Sequence, residues 1–214
     1  HLFDATTDYG VPTLYAVQTS QVDPELAQVV AATCDIDPQR ALAKIYRELA
    51  SLRIALRSHA RGPRAQEIKG QDLTVVGGAL ADADLSMRHV FDFLLEGERP
   101  VHALDEIGTL TASRPGADGV GGSAGSAAGP DPLEQVVANL ERAGAEAIVV
   151  DITTDEARQV GMHVIKALIP EAMPLSFSHH ARYLATPRLY QAPRAMGLTV
   201  HDEAGINPVR QPFA

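Results

Sequence analysis

The 214 residues are 45% hydrophobic and 21% charged, a globular composition with enough apolar material for one domain, or two small ones, without disulfides or a structural metal. No run of about 18 apolar residues occurs, so no membrane-spanning helix is expected. The net charge of -9, with no long Lys/Arg cluster, argues against generic nucleic-acid binding.

The single cysteine, Cys34, cannot close an internal disulfide and fits a cytoplasmic protein. The sequence begins at His1, without an initiator Met and without the basic-then-apolar pattern of a secretory signal. The chain therefore reads as processed, trimmed or only partly observed, with a missing N-terminal portion among the alternatives.

In chain order, residues 11–20 read as a strand, with the β-formers Val11, Leu14, Tyr15 and Val17 and with Pro12 at its start. Residues 26–34 form a second apolar run, expected as a buried strand. Asp37-Pro38 then supplies an N-cap and a first-turn proline. In the helix that follows, Leu42, Ile45, Leu49, Leu52 and Leu56 make one apolar stripe, opposite Arg40, Lys44, Arg47, Glu48 and Ser51. Residues 57–71 are basic and contain Gly62-Pro63, which reads as a loop. Residues 86–95 read as a shorter helix capped by Ser86 and packed through Val90, Phe93 and Leu94.

Residues 113–132 are dominated by Gly, Ala, Ser and Pro and are expected to form a mobile loop. Beyond it, residues 133–143 form an amphipathic helix ended by Gly144. Residues 145–152 and 161–169 read as buried strands, joined by a short turn or helix over 153–159. Residues 186–196 are a last helical piece interrupted by Pro193, and the tail from His201 is irregular. This order predicts an α+β fold of mixed α/β layers.

No P-loop, Gly-x-Ser-x-Gly elbow, His-Glu-x-x-His or Cys-x-x-Cys is present. Chemistry must come from weaker constellations. Lys44 and Glu48 stand four apart on one helix face, with Ser51 a turn further on. They read either as a solvated ion pair or as a metal-holding carboxylate with a cation beside nucleotide phosphates. Arg53 falls by helical angle among the leucines, so it must leave the stripe, snorkel or meet a buried anion. His179-His180, read on an extended segment, point to opposite sides and make a poor metal pair. Asp151 to Asp155 read first as helix-capping residues at a strand end, with a ligand role as the alternative.

Together these pieces resemble a known family. Asp37-Pro38 followed by ALAKIYRELASLR (41–53) resembles the third ATP-site helix of YcaO proteins. VVDITTDEARQVGMHVIKALIPEAMPL (149–175) resembles the segment after it. HARYLATPRLYQAPRAMG (180–197) looks like the Arg/Leu-rich stretch of SagD-type members, and NPVRQPFA (207–214) like their proline-rich ending.

The resemblance implies the C-terminal part of an ATP- and Mg2+-dependent cyclodehydratase that forms thiazoline or oxazoline rings in ribosomally made precursor peptides. It implies that Glu48 is a magnesium-linked carboxylate and that Lys44 and Arg53 lie near the phosphates. Pro208 and Pro212 of the tail would help order the site. The implied partners are the precursor peptide, a leader-peptide-binding protein and the N-terminal remainder of the domain, and a homodimer stays open.

Three departures from the family pattern stand out. Ser51 replaces the usual Gln, Arg210 and Ala214 replace tail prolines, and the two preceding Glu-rich ATP motifs are not in this sequence. Alone, the chain is not expected to complete a nucleotide site. Thioamide or amidine formation, or a non-catalytic half that binds peptide or partner, are the alternatives.

Overall fold

The computed structural model describes residues 1–62, 75–99, 101–107, 131–176 and 178–210. The expected loop at 113–132 therefore lies outside the described residues up to 130, as do the Pro63 to Gln71 part of the expected basic loop and Pro212. The fold is α+β, as its sequence pattern predicts. Among the described residues no helix is long and apolar enough to cross a membrane.

The two apolar runs before Asp37 form an antiparallel pair, β2 (Thr13–Thr19) and β3 (Gln28–Cys34), in register from Thr13 opposite Cys34 to Thr19 opposite Gln28. A short strand that the sequence did not reveal, β1 (Leu2–Asp4), completes the order β1-β2-β3.

Because side chains alternate along a strand, this sheet has two apolar faces, and both are covered. Leu14, Ala16, Val29 and Ala31 pack on one side against Ala41, Ile45, Leu49 and Leu56 of α1 (Pro38–Ala60). Val17 and Val30 pack on the other against Val90 and Phe91. The protein's main core lies here.

Helix α1 starts as expected: the Asp37 carboxylate accepts from the Gln39 N–H at 2.8 Å, and Pro38 occupies the first turn. Its end is a correction. The basic composition of residues 57–60 predicts loop, yet the helix continues to Ala60. Leu56 and Ala60 are buried, and Arg57 and His59 in the last turn suit the negative end of the helix dipole. Helix α2 (Val75–Ala81) had no sequence signal, because Gly77-Gly78 lowers its propensity. Ala79 and Leu80 are buried against the main core, so tertiary packing holds it.

The expected helix at 86–95 is instead a 3-10 segment, Leu85–Phe91, followed by the single turn α3 (Asp92–Leu95). Its cap is Asp84, which accepts from the Ser86 N–H at 3.0 Å, rather than Ser86 itself. The tighter three-residue turn moves Phe91 into the core and leaves Phe93 exposed.

The second half is thinly packed. Helix α4 (Pro132–Arg142) is capped by Asp131 and closes at Gly144, whose φ of 74° is a left-handed conformation. Strands β4 (Ile148–Asp151) and β5 (Ile165–Leu168) pair antiparallel, with the short α5 (Asp155–Gln159) between them. Both strands were expected to be buried, and every residue of both is exposed. Their apolar pattern calls for cover on two faces, and the described residues supply none. Helix α6 (Arg188–Ala195) runs through Pro193 rather than breaking there.

The halves meet at a few defined points. The Asn139 side-chain amide donates to the Tyr9 carbonyl at 2.9 Å. Arg188 pairs in bidentate fashion with Asp8 and stacks over the Tyr9 ring, 3.7 Å from its centroid.

Candidate functional site

The residues singled out in the sequence lie on one helix but do not converge. Lys44 turns towards the C-terminal end of β3, where its Nζ donates to the Cys34 carbonyl at 2.7 Å and lies 3.7 Å from Asp35 Oδ2. Asp35 also faces Arg40 at 3.7 Å. Glu48 is exposed and, among the described residues, has no hydrogen-bond or ion-pair partner. The i,i+4 pair that the spacing allowed is therefore not formed, because Lys44 is held by the strand end. Ser51 is exposed as well.

Arg53 reaches the opposite end of the sheet. Its Nε donates to Gln18 Oε1 at 2.7 Å, and its Nη1 donates to the Leu26 carbonyl at 3.0 Å and faces Asp23 Oδ2 at 3.5 Å. Of the three outcomes open to an arginine in an apolar stripe, it meets a buried anion. Asp23 is only 5% exposed. Arg57 and Arg61, at i+4 and i+8 on the same face, also reach this carboxylate at 3.3 and 3.4 Å, and Arg61 Nε binds Glu25 at 2.7 Å.

Burial pushes the Asp23 carboxyl up, but the Leu26 N–H and the Arg61 and Arg57 guanidinia outweigh it. The net effect is a pKa below the ordinary value. Burial likewise lowers the Arg53 pKa, against the opposing effect of Asp23. The Arg53 Nη2 is buried and has no hydrogen-bond partner among the described residues. Sequence reasoning missed Asp23, Gln18 and Asp35, since no local motif marks a carboxylate that becomes buried only in the fold.

The tail contributes cavity walls. Pro208 lines an apolar cavity of about 720 Å³ with His89, Phe93 and His201. A smaller one, about 210 Å³, lies beside it and is bordered by His179, Arg182, Asn207 and Arg210. His179 and His180 are not extended, as the sequence suggested. They start a 3-10 turn, His179–Ala181, and their rings meet edge to face at 5.6 Å. Of residues 151–155, Thr154 caps α5, its Oγ1 accepting from the Ala157 N–H at 3.3 Å. In the turn before it, Asp151 Oδ1 accepts from the Thr153 N–H at 2.8 Å and Asp151 Oδ2 pairs with Arg158 at 3.1 Å. The Thr153 hydrogen bonds hold the Asp151 carboxyl below the usual range.

This geometry sits in a known family. The family model described as YcaO cyclodehydratase, ATP- and Mg2+-binding, matches residues 1–173, and the chain belongs to the YcaO family. None of the curated proteins matches. Among solved structures, the fold is similar to a heterocyclase in complex with substrate and cofactor, with a TM-score of 0.63 and 19% identity over 99% of this chain. It is also similar to the heterocyclase TruD, with a TM-score of 0.55 and 20% identity over 99% of this chain. The chain spans about a quarter of the length of each, 24% and 25%.

The family's cofactors are ATP and Mg2+. The residues present fit a share of such a site and not the whole of it. Glu48 offers one carboxylate that is unpartnered among the described residues, the hard oxygen donor that Mg2+ prefers. Among the described residues, however, no group of three or more His, Cys, Asp or Glu is placed to hold a metal.

Proposed function

We propose that this chain is the part of an ATP-dependent cyclodehydratase that carries the third ATP-site helix, and that it works as a component of a fuller YcaO chain or complex. The observation that carries the reading is Glu48, an exposed carboxylate without a partner among the described residues, on the helix α1 of a YcaO chain. The substrate would be a ribosomally made precursor peptide. A leader-peptide-binding protein would present it, in the cytoplasm.

The chemistry asks for activation of a poor leaving group. A Cys, Ser or Thr side chain attacks the preceding backbone carbonyl, and the carbonyl oxygen must then leave to form the ring's C=N bond. ATP with Mg2+ supplies the phosphoryl group that turns this oxygen into a phosphate leaving group. Glu48 would hold one position of the metal. Lys44 and Arg53 would add positive potential on either side of Glu48 along α1. In both, part of that charge is already met, by Asp35 and Asp23 respectively.

A second reading, a half that binds peptide or partner while another chain does the chemistry, is supported by a different observation: among the described residues no group of three or more His, Cys, Asp or Glu is placed to hold a metal. Mass spectrometry on the native assembly, given a Cys-containing precursor, ATP and Mg2+, separates the readings. Loss of one water per ring with matching phosphate release supports cyclodehydration. Exchange of amide oxygen for sulfur or nitrogen would point to a thioamide or amidine product. Tight precursor binding without nucleotide, and no modification, would favour the binding role.

A further inference from the structure

The two sheets of this protein are treated very differently by the rest of the chain. The β1-β2-β3 sheet is covered on both faces, whereas among the described residues β4-β5 is bare. The register places Ile148, Val150 and Leu168 on one face with Lys166, and Val149, Ile165 and Ala167 on the other with Asp151. Both faces are thus mainly apolar, the pattern of an inner strand pair rather than a sheet meant for water. Yet Val149 is 60% and Ile165 is 61% exposed, and Val160, Met162 and Val164 continue the exposed apolar surface between the strands. After residue 130, only Asn139, Leu140 and Ala145 are buried among the described residues.

An isolated two-stranded sheet is marginal in water. β4 also lacks the lysine or proline that commonly guards an exposed edge. We propose that β4-β5 is an interaction surface for the part of a YcaO polypeptide not contained in this chain, which adds a strand at the β4 edge and apolar cover to both faces. The inference rests on the functional reading above and names the surface through which the fuller enzyme is assembled.

Two observations select this occupant. The heterocyclases sharing this fold over 99% of the present chain are about four times its length, so polypeptide of the required extent exists beside the matched region. A second copy fits less well. Pairing β4 with its symmetry mate would build a four-stranded sheet but leave its two faces open, since an isologous edge contact adds no layer.

Hydrogen exchange followed by mass spectrometry tests this, comparing the chain alone with the native YcaO assembly that contains it. Amides of Ile148–Asp151 and Ile165–Leu168 are expected to exchange at least about tenfold more slowly in the assembly. Val149→Lys, on one bare face, should restore fast exchange there and leave β1-β2-β3 protected. Equal exchange in the two samples would overturn the proposal. So would protection of the isolated chain that grows with its own concentration, which would mean a second copy. ATP turnover measured on the same samples keeps the two readings apart. Protection without turnover sustains the surface and sinks the enzymatic reading, whereas turnover without protection sinks the surface alone.

Discussion

Replacing Asp23 by Asn leaves a cation buried without its anion. The Asp23 side chain is 7% exposed and faces Arg53, Arg57 and Arg61 at 3.3–3.5 Å, and the Arg53 side chain is itself only 17% exposed. Removing one partner of a fully buried pair costs about 3–5 kcal/mol. Here Arg57 and Arg61 are half exposed, so their losses are screened, and Arg53 keeps Gln18 and the Leu26 carbonyl.

A loss of about 2–3 kcal/mol follows, which for a chain of this size lowers Tm by about 4–12 °C. The native pKa of Asp23 lies below its ordinary value, so its contribution is present above the unfolded carboxylate range and is lost as pH falls through the native value. Urea unfolding of wild type and Asp23→Asn should therefore show the full gap near neutral pH and a shrinking one below about pH 4. Adding Arg53→Met to Asp23→Asn should recover part of the loss. A gap under about 0.5 kcal/mol near neutral pH, or one that persists unchanged in acid, would refute the buried-pair argument.

Gly10 has a φ of 67°, and a Cβ there would sit 2.9 Å from Asn139 Nδ2. Gly10→Ala should cost about 1–3 kcal/mol in thermal unfolding and raise hydrogen exchange in α4, because both backbone strain and the Asn139–Tyr9 bond are affected. Asp82 is 3% exposed with its Oδ2 unpartnered among the described residues, and burial pushes its carboxyl up, against the opposing fields of Arg210 and His89 and in line with Asp84. A raised native pKa means stability that is complete below the unfolded value and falls as pH rises through the native one. Asp82→Asn should accordingly be more stable than wild type at alkaline pH and lose that advantage in acid, as read by urea midpoints.

What the sequence made legible was whatever a local pattern could carry. Asp37-Pro38 fixed the start of α1, the leucine stripe fixed its buried face, and alternation fixed β2 and β3. Arg53 stood out at once as a charge among leucines, yet its partner could not be named. Asp23 lies thirty residues earlier, on the β2-β3 connection, and only the fold brings the two together. The end of α1 was misjudged because Arg57 and Arg61 look like loop residues until Asp23 and Glu25 are seen beneath them. Helix α2 was invisible because Gly77-Gly78 speaks against it locally and only packing of Ala79 and Leu80 speaks for it. For β4 and β5 the pattern predicted strands correctly and burial wrongly. Apolar periodicity reports what a segment needs, and these strands need layers that the described residues do not provide. The candidate site was legible as residue types on one helix, while the engagement of Lys44 by the β3 end and of Arg53 by Asp23 was not.

The most direct test of the account is Glu48→Gln in the native assembly, with ATP hydrolysis followed as Mg2+ is varied. Glu48 is exposed and holds no partner among the described residues, so unfolding should shift by less than about 0.5 kcal/mol. ATP turnover should fall about 100-fold or more, the scale on which removal of one charge-stabilising group is felt, and excess Mg2+ should recover part of it. Unchanged turnover with unchanged Mg2+ dependence would contradict the claim that this helix carries a metal carboxylate and would leave the chain a binding role.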